Sequence, residues 1–208
     1  MGGMGLEHRR LLLLIPVPLL LLLLPFWLAR RDGAPPAHDP TPPRLYREEF
    51  LGSRYVNRDL QLSVTAPESW KATSGVRSND TEPYEGLVVK MEPRQSDEPE
   101  AKVRPFVSVV KRSLPPGGSR DPVAYIRAHL LTGPKTVLEG PLTATLAGHG
   151  VGKVSYEMKS GPGTLRIQQR VYVVGNQAII LSAAASAEQF GEIEGAFEQI
   201  FDSLKLGL

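Results

Sequence analysis

The segment QRVYVVGNQAIILSAAASAEQFGEIEGAFEQIFDSLKL, residues 169–206, decides the fold of this chain. Apolar residues alternate with other residues along 165–173, which is the period of a β-strand. The pair Gly175 and Asn176 then favours a two-residue turn, because glycine adopts positive φ readily and asparagine tolerates it. A second apolar run at 178–184 follows the turn. The sequence therefore predicts a β-hairpin.

A helix is expected directly after the hairpin. Ser186 and Gln189 have the spacing of a capping box, in which two side chains bond to free backbone groups at a helix start. The apolar residues that follow recur mostly every three or four positions: Phe190, Ile193, Phe197, Ile200, Phe201 and Leu204. A stripe this wide must be covered by other apolar surface. We therefore expect an amphipathic closing helix that packs on a sheet.

Further elements are predicted upstream of the hairpin. The strand candidates lie at residues 60–66, 87–91, 103–112, 136–138, 142–146 and 150–160. A short helix is expected after Asp121, a capping residue that is followed by Pro122 at the first helical position. Strands joined by turns, with only two helices, indicate an α+β fold. We expect an antiparallel β-sheet covered by the C-terminal amphipathic helix and the second short helix.

The N-terminal part of the chain predicts a membrane segment. From Leu11 to Ala29 the sequence LLLLIPVPLLLLLLPFWLA has no charged residue. As a helix it would span about 28 Å, close to the thickness of the hydrocarbon core of a bilayer. Arginine pairs flank it at 9–10 and 30–31. We interpret this segment as a transmembrane anchor, and a signal peptide, retained or cleaved, is the alternative.

The domain organisation follows from this segment. Residues 1–10 form a short tail, 11–29 the anchor, 30–44 a proline-rich linker and 45–208 one α+β domain. The linker contains five prolines, which make it a stiff spacer. Because the N-terminal flank is short, we expect the N-terminus inside and a single-pass membrane protein. The C-terminal domain would then lie on the periplasmic, extracytoplasmic side.

Charge and cysteine content exclude several classes of protein. The formal net charge of +2 belongs to residues 1–44, and the rest of the chain holds equal numbers of basic and acidic side chains. A neutral domain gives no support for nucleic-acid binding, which requires a basic face. The chain has no cysteine, which excludes a disulfide scaffold, a thiolate zinc site and a cysteine nucleophile.

Two histidines lie in the predicted domain. His129 lies at the edge of the apolar face of the short helix, where we expect an ordinary helix residue. His149 lies between Gly148 and Gly150, where a turn residue is expected and an exposed metal or partner contact is the alternative. Neither belongs to a His-Glu-x-x-His motif or a recognisable catalytic triad. The sequence shows no Gly-x-Ser-x-Gly motif.

The remaining candidates are interpreted as structural. The acids Asp97, Glu98 and Glu100 lack the spacing of an EF-hand, so we expect a solvated loop. Trp70 is expected to fill the core beside a turn at Pro67. The triplet Asn79-Asp80-Thr81 fits a glycosylation sequon, which matters only in a eukaryotic secretory context. We therefore assign no catalytic, cofactor-binding or metal-ligating residue and no cofactor.

Two segments resemble the PsbP-like family. They are YVNRDLQLSVTAPESW at 55–70 and the segment at 169–206. They share with it a tyrosine and an asparagine before a strand, a Pro-x-x-Trp turn, and a hairpin, alanine-rich stretch and aromatic-striped helix at the end. The resemblance implies the fold that PsbP shares with the Ran-binding Mog proteins and the bacterial DcrB-type envelope proteins. With an anchor in place of a plant transit peptide, the chain resembles a membrane-anchored, bacterial-type member.

The resemblance also implies a class of function. Proteins of this kind are mostly non-enzymatic, exported or lumenal, and accessory to membrane complexes. We expect a non-enzymatic accessory protein that contacts the bilayer through Leu11–Ala29 and whose exported domain docks on an integral membrane protein complex. The alternative is a small-ligand or metal-binding envelope protein, with a pocket between the sheet and the closing helix or a site near His149.

Overall fold

The computed structural model describes residues 47–76, 85–94, 104–146, 148–161 and 163–207. The predicted anchor, the linker, the acidic loop at 97–100 and the triplet at 79–81 lie outside these residues. Within the described part of the chain, no helix has the length and apolar character needed to cross a membrane.

The described residues form strands and short helices in the following order. The first strands are β1 (Glu48–Leu51), β2 (Arg54–Asn57), β3 (Leu62–Thr65), β4 (Trp70–Ser74), β5 (Gly86–Pro93) and β6 (Phe106–Ser113). Helix α1 (Pro122–Tyr125) continues into a π-helical turn (Ile126–Leu130). The second half contains β7 (Thr136–Leu146), β8 (His149–Ser160), β9 (Gly163–Val174), β10 (Gln177–Ser186), α2 (Phe190–Asp202) and β11 (Lys205–Leu206).

The strands form two antiparallel sheets. The larger sheet has seven strands in the order β4-β5-β6-β10-β9-β8-β7, and the smaller has the order β1-β2-β3-β11. The antiparallel pairing and the two helices agree with the predicted α+β class. The sequence predicted one sheet, whereas the structure has a second, in which β1, β2 and β3 pair in order and β11 pairs Lys205 with Ser63 and Leu206 with Leu62.

The predicted hairpin is β9 and β10. Gly175 takes the positive φ of 60° in its turn, and Gln177 pairs with Val174. Both faces of this hairpin are buried, although the alternation predicted only one. Tyr172 packs in the core under α2, whereas its neighbour Val171 packs in a second core under α1. The seven-stranded sheet therefore carries a helix on each face.

Helix α2 covers one face through its predicted apolar stripe. Phe197, Ile200 and Phe201 are fully buried, and burial of each side chain contributes roughly 1.5–3 kcal/mol. The helix starts at Phe190, directly after Gln189 and one turn after Ser186. The Ser186 hydroxyl donates to the Gln189 side chain over 2.8 Å and accepts from the Gln189 N–H over 3.4 Å, which is one of the two backbone bonds of the predicted capping box. It ends at Asp202, and the hydroxyl of the next residue, Ser203, accepts from the Thr65 N–H; the helix is therefore shorter than the predicted stripe, although Leu204 is still buried.

Helix α1 covers the opposite face. The Asp121 carboxylate accepts from the N–H groups of Val123 (2.9 Å) and Ala124 (3.3 Å), which confirms the predicted cap. The helix lies very close to β8, where Gly152 provides the room. A Cβ at this glycine would lie 2.7 Å from Cδ1 of Ile126 and 3.0 Å from the backbone of Pro122.

Some elements differ from the sequence prediction. Strands β1, β4 and β11 were not predicted, since two to five residues give too short a pattern to detect. The strand predicted at 60–66 is confined to β3. The two strands predicted at 136–138 and 142–146 are one strand, β7, whose pairing with β8 shifts register between them.

Candidate functional site

A cleft of about 510 Å³ opens where the end of α2 meets the β7–β8 turn. It is lined by Leu146, His149, Tyr172, Phe201, Asp202, Leu204, Lys205 and Leu206. Most of these side chains are apolar, and one imidazole, one carboxylate and one ammonium group accompany them. Apolar lining with a few polar groups is typical of small-molecule sites.

His149 connects the cleft with the sequence analysis. It begins β8 opposite Leu146, directly after Gly148, whose φ is 81°. His149 is therefore the first residue of a strand and does not lie in the turn that was expected, and the structure places its imidazole in the cleft between the sheet and the closing helix. The sequence did not indicate Asp202 and Lys205 as its neighbours in this cleft, because both come from the far end of the chain.

A buried arginine holds the α2 wall of the cleft in place. The Arg170 side chain is only 3% exposed and lies on β9. Its guanidinium donates to Asp202 over 2.6 Å and to Glu198, and it lies 5.0 Å from the centre of the Phe201 ring. Burial of an arginine requires such counter-charges. One signal in the sequence was the spacing of the two acids, four residues apart on one helix face.

Tyr172 forms part of the cleft and lies in the core. It is 4% exposed, and burial raises the pKa of its phenol. The neighbouring Arg170 opposes this shift and the Asp202 and Glu198 carboxylates add to it. The phenol therefore stays protonated at neutral pH and can donate a hydrogen bond.

A second polar cluster lies under the four-stranded sheet. The Glu48 carboxylate accepts from the Tyr55 hydroxyl and, over 2.9 Å, from the Ser74 hydroxyl. The Asn57 amide donates to the Tyr55 hydroxyl over 3.1 Å and accepts from the Leu60 N–H over 2.9 Å. Burial, followed by the bond to Glu48, raises the pKa of Tyr55. The tyrosine and asparagine that carry the family resemblance thus tie β1, β2 and β4 together.

The small sheet also presents a surface that we call the arginine face, lined by Arg47, Glu49, Leu51, Arg54, Val56, Arg58 and Gln61. Its groove measures about 460 Å³. Two of its arginines form ion pairs, Arg58 with Glu49 at 2.9 Å and Arg47 with Asp59 at 3.0 Å. The hydrogen bond from Arg58 lowers the pKa of Glu49. Arginine is enriched at protein interfaces relative to the rest of the protein surface.

Two other residues considered in the sequence analysis, His129 and Trp70, lie on a helix surface and in the core. His129 is exposed and its ring centre lies 4.6 Å from that of Tyr125, as expected of an ordinary helix residue. Trp70 is 5% exposed and contacts Phe197 edge-on at 5.9 Å, which confirms the core position, although it begins β4 and does not lie in the turn. Within the described ranges, no group of three or more potential ligands is placed to hold a metal ion.

Comparison with known proteins identifies structural neighbours alone. No protein-family model matches the chain. No curated protein matches it either. The solution structure of cyanobacterial PsbP (CyanoP) from Synechocystis sp. PCC 6803 has a TM-score of 0.50 at 12% identity, and the match covers 76% of this chain and 94% of CyanoP.

A second neighbour belongs to another bacterial group. LpqN, described as involved in cell envelope biogenesis of Mycobacterium tuberculosis, has a TM-score of 0.52 at 15% identity. The match covers 71% of this chain and 83% of LpqN. Identities this low carry information on fold and none on activity. Together with the antiparallel sheets and the closing helix, these neighbours show that the chain has a PsbP-like α+β fold.

Proposed function

We propose that this chain is a non-enzymatic, membrane-anchored accessory protein whose exported domain docks on a larger membrane protein complex. The observation that carries the proposal is the order of segments along the chain. An uncharged run of anchor length, Leu11–Ala29, is joined by a proline-rich spacer to a domain of PsbP-like fold. This arrangement holds a folded domain at a membrane surface.

We propose the arginine face as the docking surface. Leu51 is 56% exposed there, and Arg54 lies beside it, with its guanidinium bonded to Ser63 over 3.0 Å. Arginine binds carboxylates through two parallel hydrogen bonds, and an exposed leucine gains from burial. The partner surface that fits is therefore partly apolar and carries carboxylates. Among the described residues, β1 is also the first strand.

Membrane attachment is tested by extraction and protease treatment of cells that produce the full chain with a C-terminal tag. Alkaline carbonate should leave the wild-type chain in the membrane, and protease added to spheroplasts should remove the tag. As a matched control, Leu14→Arg together with Leu21→Arg places two charges in the apolar run and should release the chain. Retention of that variant, or a protected tag, would contradict the anchored, exported arrangement.

Docking is tested by affinity purification from native membranes in mild detergent. Leu51→Asp places a carboxylate in the arginine face and should reduce recovery of the partner at least tenfold, because it removes apolar contact and repels an acidic partner. Val174→Asp is the matched control, since Val174 is also exposed (40%) and lies at the β9–β10 turn. Equal recovery with both variants would rule out the arginine face.

We propose small-ligand binding in the cleft as a second candidate function. The polar groups of His149, Asp202 and Lys205 above apolar side chains favour a small ligand with an apolar body and a polar end. Native mass spectrometry of the full chain, released from detergent, would detect such a ligand as an added mass. Leu146→Trp should fill the cleft and remove that mass. A bare wild-type chain would eliminate this candidate.

A further inference from the structure

β7 forms one edge of the seven-stranded sheet. It pairs with β8 on one side, and no strand of the described residues pairs with its other side. An unpaired edge presents a row of backbone N–H and C=O groups to any strand that approaches. Apolar side chains are also exposed along it, with Leu142 51% and Leu138 46% exposed.

One part of this edge lacks the usual protection. Edge strands are commonly blunted by charges, prolines or bulges. In β7 the register shifts and Pro141 all precede Leu142. From Leu142 to Leu146 the strand pairs regularly with β8, and the segment LTATL has no charged residue. Residues 142–146 are therefore a regular, uncharged edge.

The same five residues are a palindrome. LTATL reads identically in both directions, with Ala144 at its centre. In an antiparallel pair of two such strands centred on Ala144, each leucine lies opposite a leucine and each threonine opposite a threonine. Side chains alternate between the two faces of a sheet, so both leucine pairs fall on one face and both threonine pairs on the other. Matched pairs of this kind are the unit of sheet stabilisation.

We propose that two copies of this chain pair antiparallel through residues 142–146, about a twofold axis at Ala144. The two seven-stranded sheets then join edge to edge. On β7, the side chains of Leu142, Ala144 and Leu146 alternate with those that face α1, so these three lie on the face of the sheet that carries the cleft. Antiparallel pairing about a twofold axis at Ala144 keeps this face on the same side in both copies. The clefts of both copies therefore open on the same face of the joined sheet. This self-association does not depend on docking to a membrane complex. The contact is far smaller than a stable interface of about 1,200 Å², so we expect a reversible dimer.

The absence of cysteine makes a register-specific test possible. Ala144→Cys in the full chain places two thiols opposite each other. Opposed Cα atoms in an antiparallel pair lie about 4.5–5.5 Å apart, within the range that a disulfide bridges. Oxidation of native membranes with copper phenanthroline should convert most of this variant into a dimer on a non-reducing gel.

Two controls separate pairing from collision. Thr136→Cys is exposed on the same strand, but eight residues from the axis it would lie about 50 Å from its copy and should stay monomeric. Leu142→Cys alone should also stay monomeric, whereas a mixture with Leu146→Cys chains should give the mixed dimer. Near-ultraviolet circular dichroism verifies that each variant is folded.

The outcomes decide the proposal. A dimer of the Ala144→Cys chain, with monomers of the two single controls, supports twofold pairing at this register. A monomeric Ala144→Cys chain combined with no mixed dimer overturns it, whether the edge is free or covered by another protein. Equal cross-linking of Ala144→Cys and Thr136→Cys overturns it as well, because that result indicates random collision.

Discussion

The buried arginine predicts an asymmetry between removal of the positive charge and removal of its partners. Arg170 is 3% exposed, whereas the side chains of Glu198 and Asp202 are 39% and 63% exposed. Arg170→Met removes the buried charge, replaces the guanidinium over the Phe201 ring with an apolar side chain, and leaves two carboxylates that reach water. We expect a loss of about 1 kcal/mol or less. Glu198→Gln with Asp202→Asn leaves the guanidinium buried without counter-charge, and we expect a loss of about 3 kcal/mol.

The assay is urea unfolding of the full chain in mild detergent. Trp27→Phe in every variant leaves Trp70 as the only tryptophan, and its contact with Phe197 reports the packing of α2. For a urea dependence of about 2 kcal/mol per molar, the double acid variant should unfold about 1.5 M earlier and Arg170→Met less than about 0.5 M earlier. If Arg170→Met costs as much as the double variant, the pair stabilises the fold directly and the reasoning from desolvation is wrong.

Three further predictions concern pH and packing. Burial raises the pKa of four tyrosines, Tyr55, Tyr125, Tyr156 and Tyr172. Their contribution to the free energy of unfolding should therefore be fully present below about pH 10 and fall above it, where the phenols of the unfolded chain ionise first. Urea midpoints from pH 8 to 11 measure this fall, which Tyr55→Phe should flatten. Hydrogen bonds from Lys71 and Lys90 lower the pKa of Glu92, so the contribution of Glu92 to stability should be present above about pH 4.5 and be lost as the pH falls. Because these ion pairs are at the surface, Glu92→Gln should reduce the free energy of unfolding by only about 0.5 kcal/mol at pH 7. A loss above about 2 kcal/mol would contradict this expectation. Gly152→Ala should reduce the free energy of urea unfolding by about 1–3 kcal/mol, because the added Cβ lies against Ile126 and the Pro122 backbone. Gly150→Ala is the control and should cost less than about 1 kcal/mol, because a Cβ at Gly150 lies in open space. Equal costs would refute the close contact at Gly152.

The local parts of the fold could be predicted because their signals lie within a few residues. The turn at Gly175 and the stripe of α2 each depend on neighbours in sequence, and both are confirmed. The second sheet could not be predicted, since its strands have only two to four residues and β11 forms only where Lys205 and Leu206 reach β3. Strand β4 was missed for a similar reason, because it has five residues and its partner β5 does not follow it directly in the sequence.

The cleft shows the same division between local and distant signals. His149 could be singled out from its position between two glycines. Lys205, which lines the same cleft, could not, because the two residues are brought to one cleft only when the β7–β8 turn and residues 205–206 fold together. Arg170 was hidden for another reason. Along β9 it alternates with apolar residues as an exposed residue would, and only the acids on α2 show that its face is buried.

The most direct test of the account is purification of the tagged, wild-type full chain from its native membranes in mild detergent, with mass spectrometry of what accompanies it. The account predicts that an integral membrane protein complex co-purifies in a fixed ratio to the chain. It also predicts that the complex is lost from the Leu51→Asp variant and kept by the Val174→Asp variant. A chain that leaves the membrane alone, or with no partner in a fixed ratio, would contradict the accessory role.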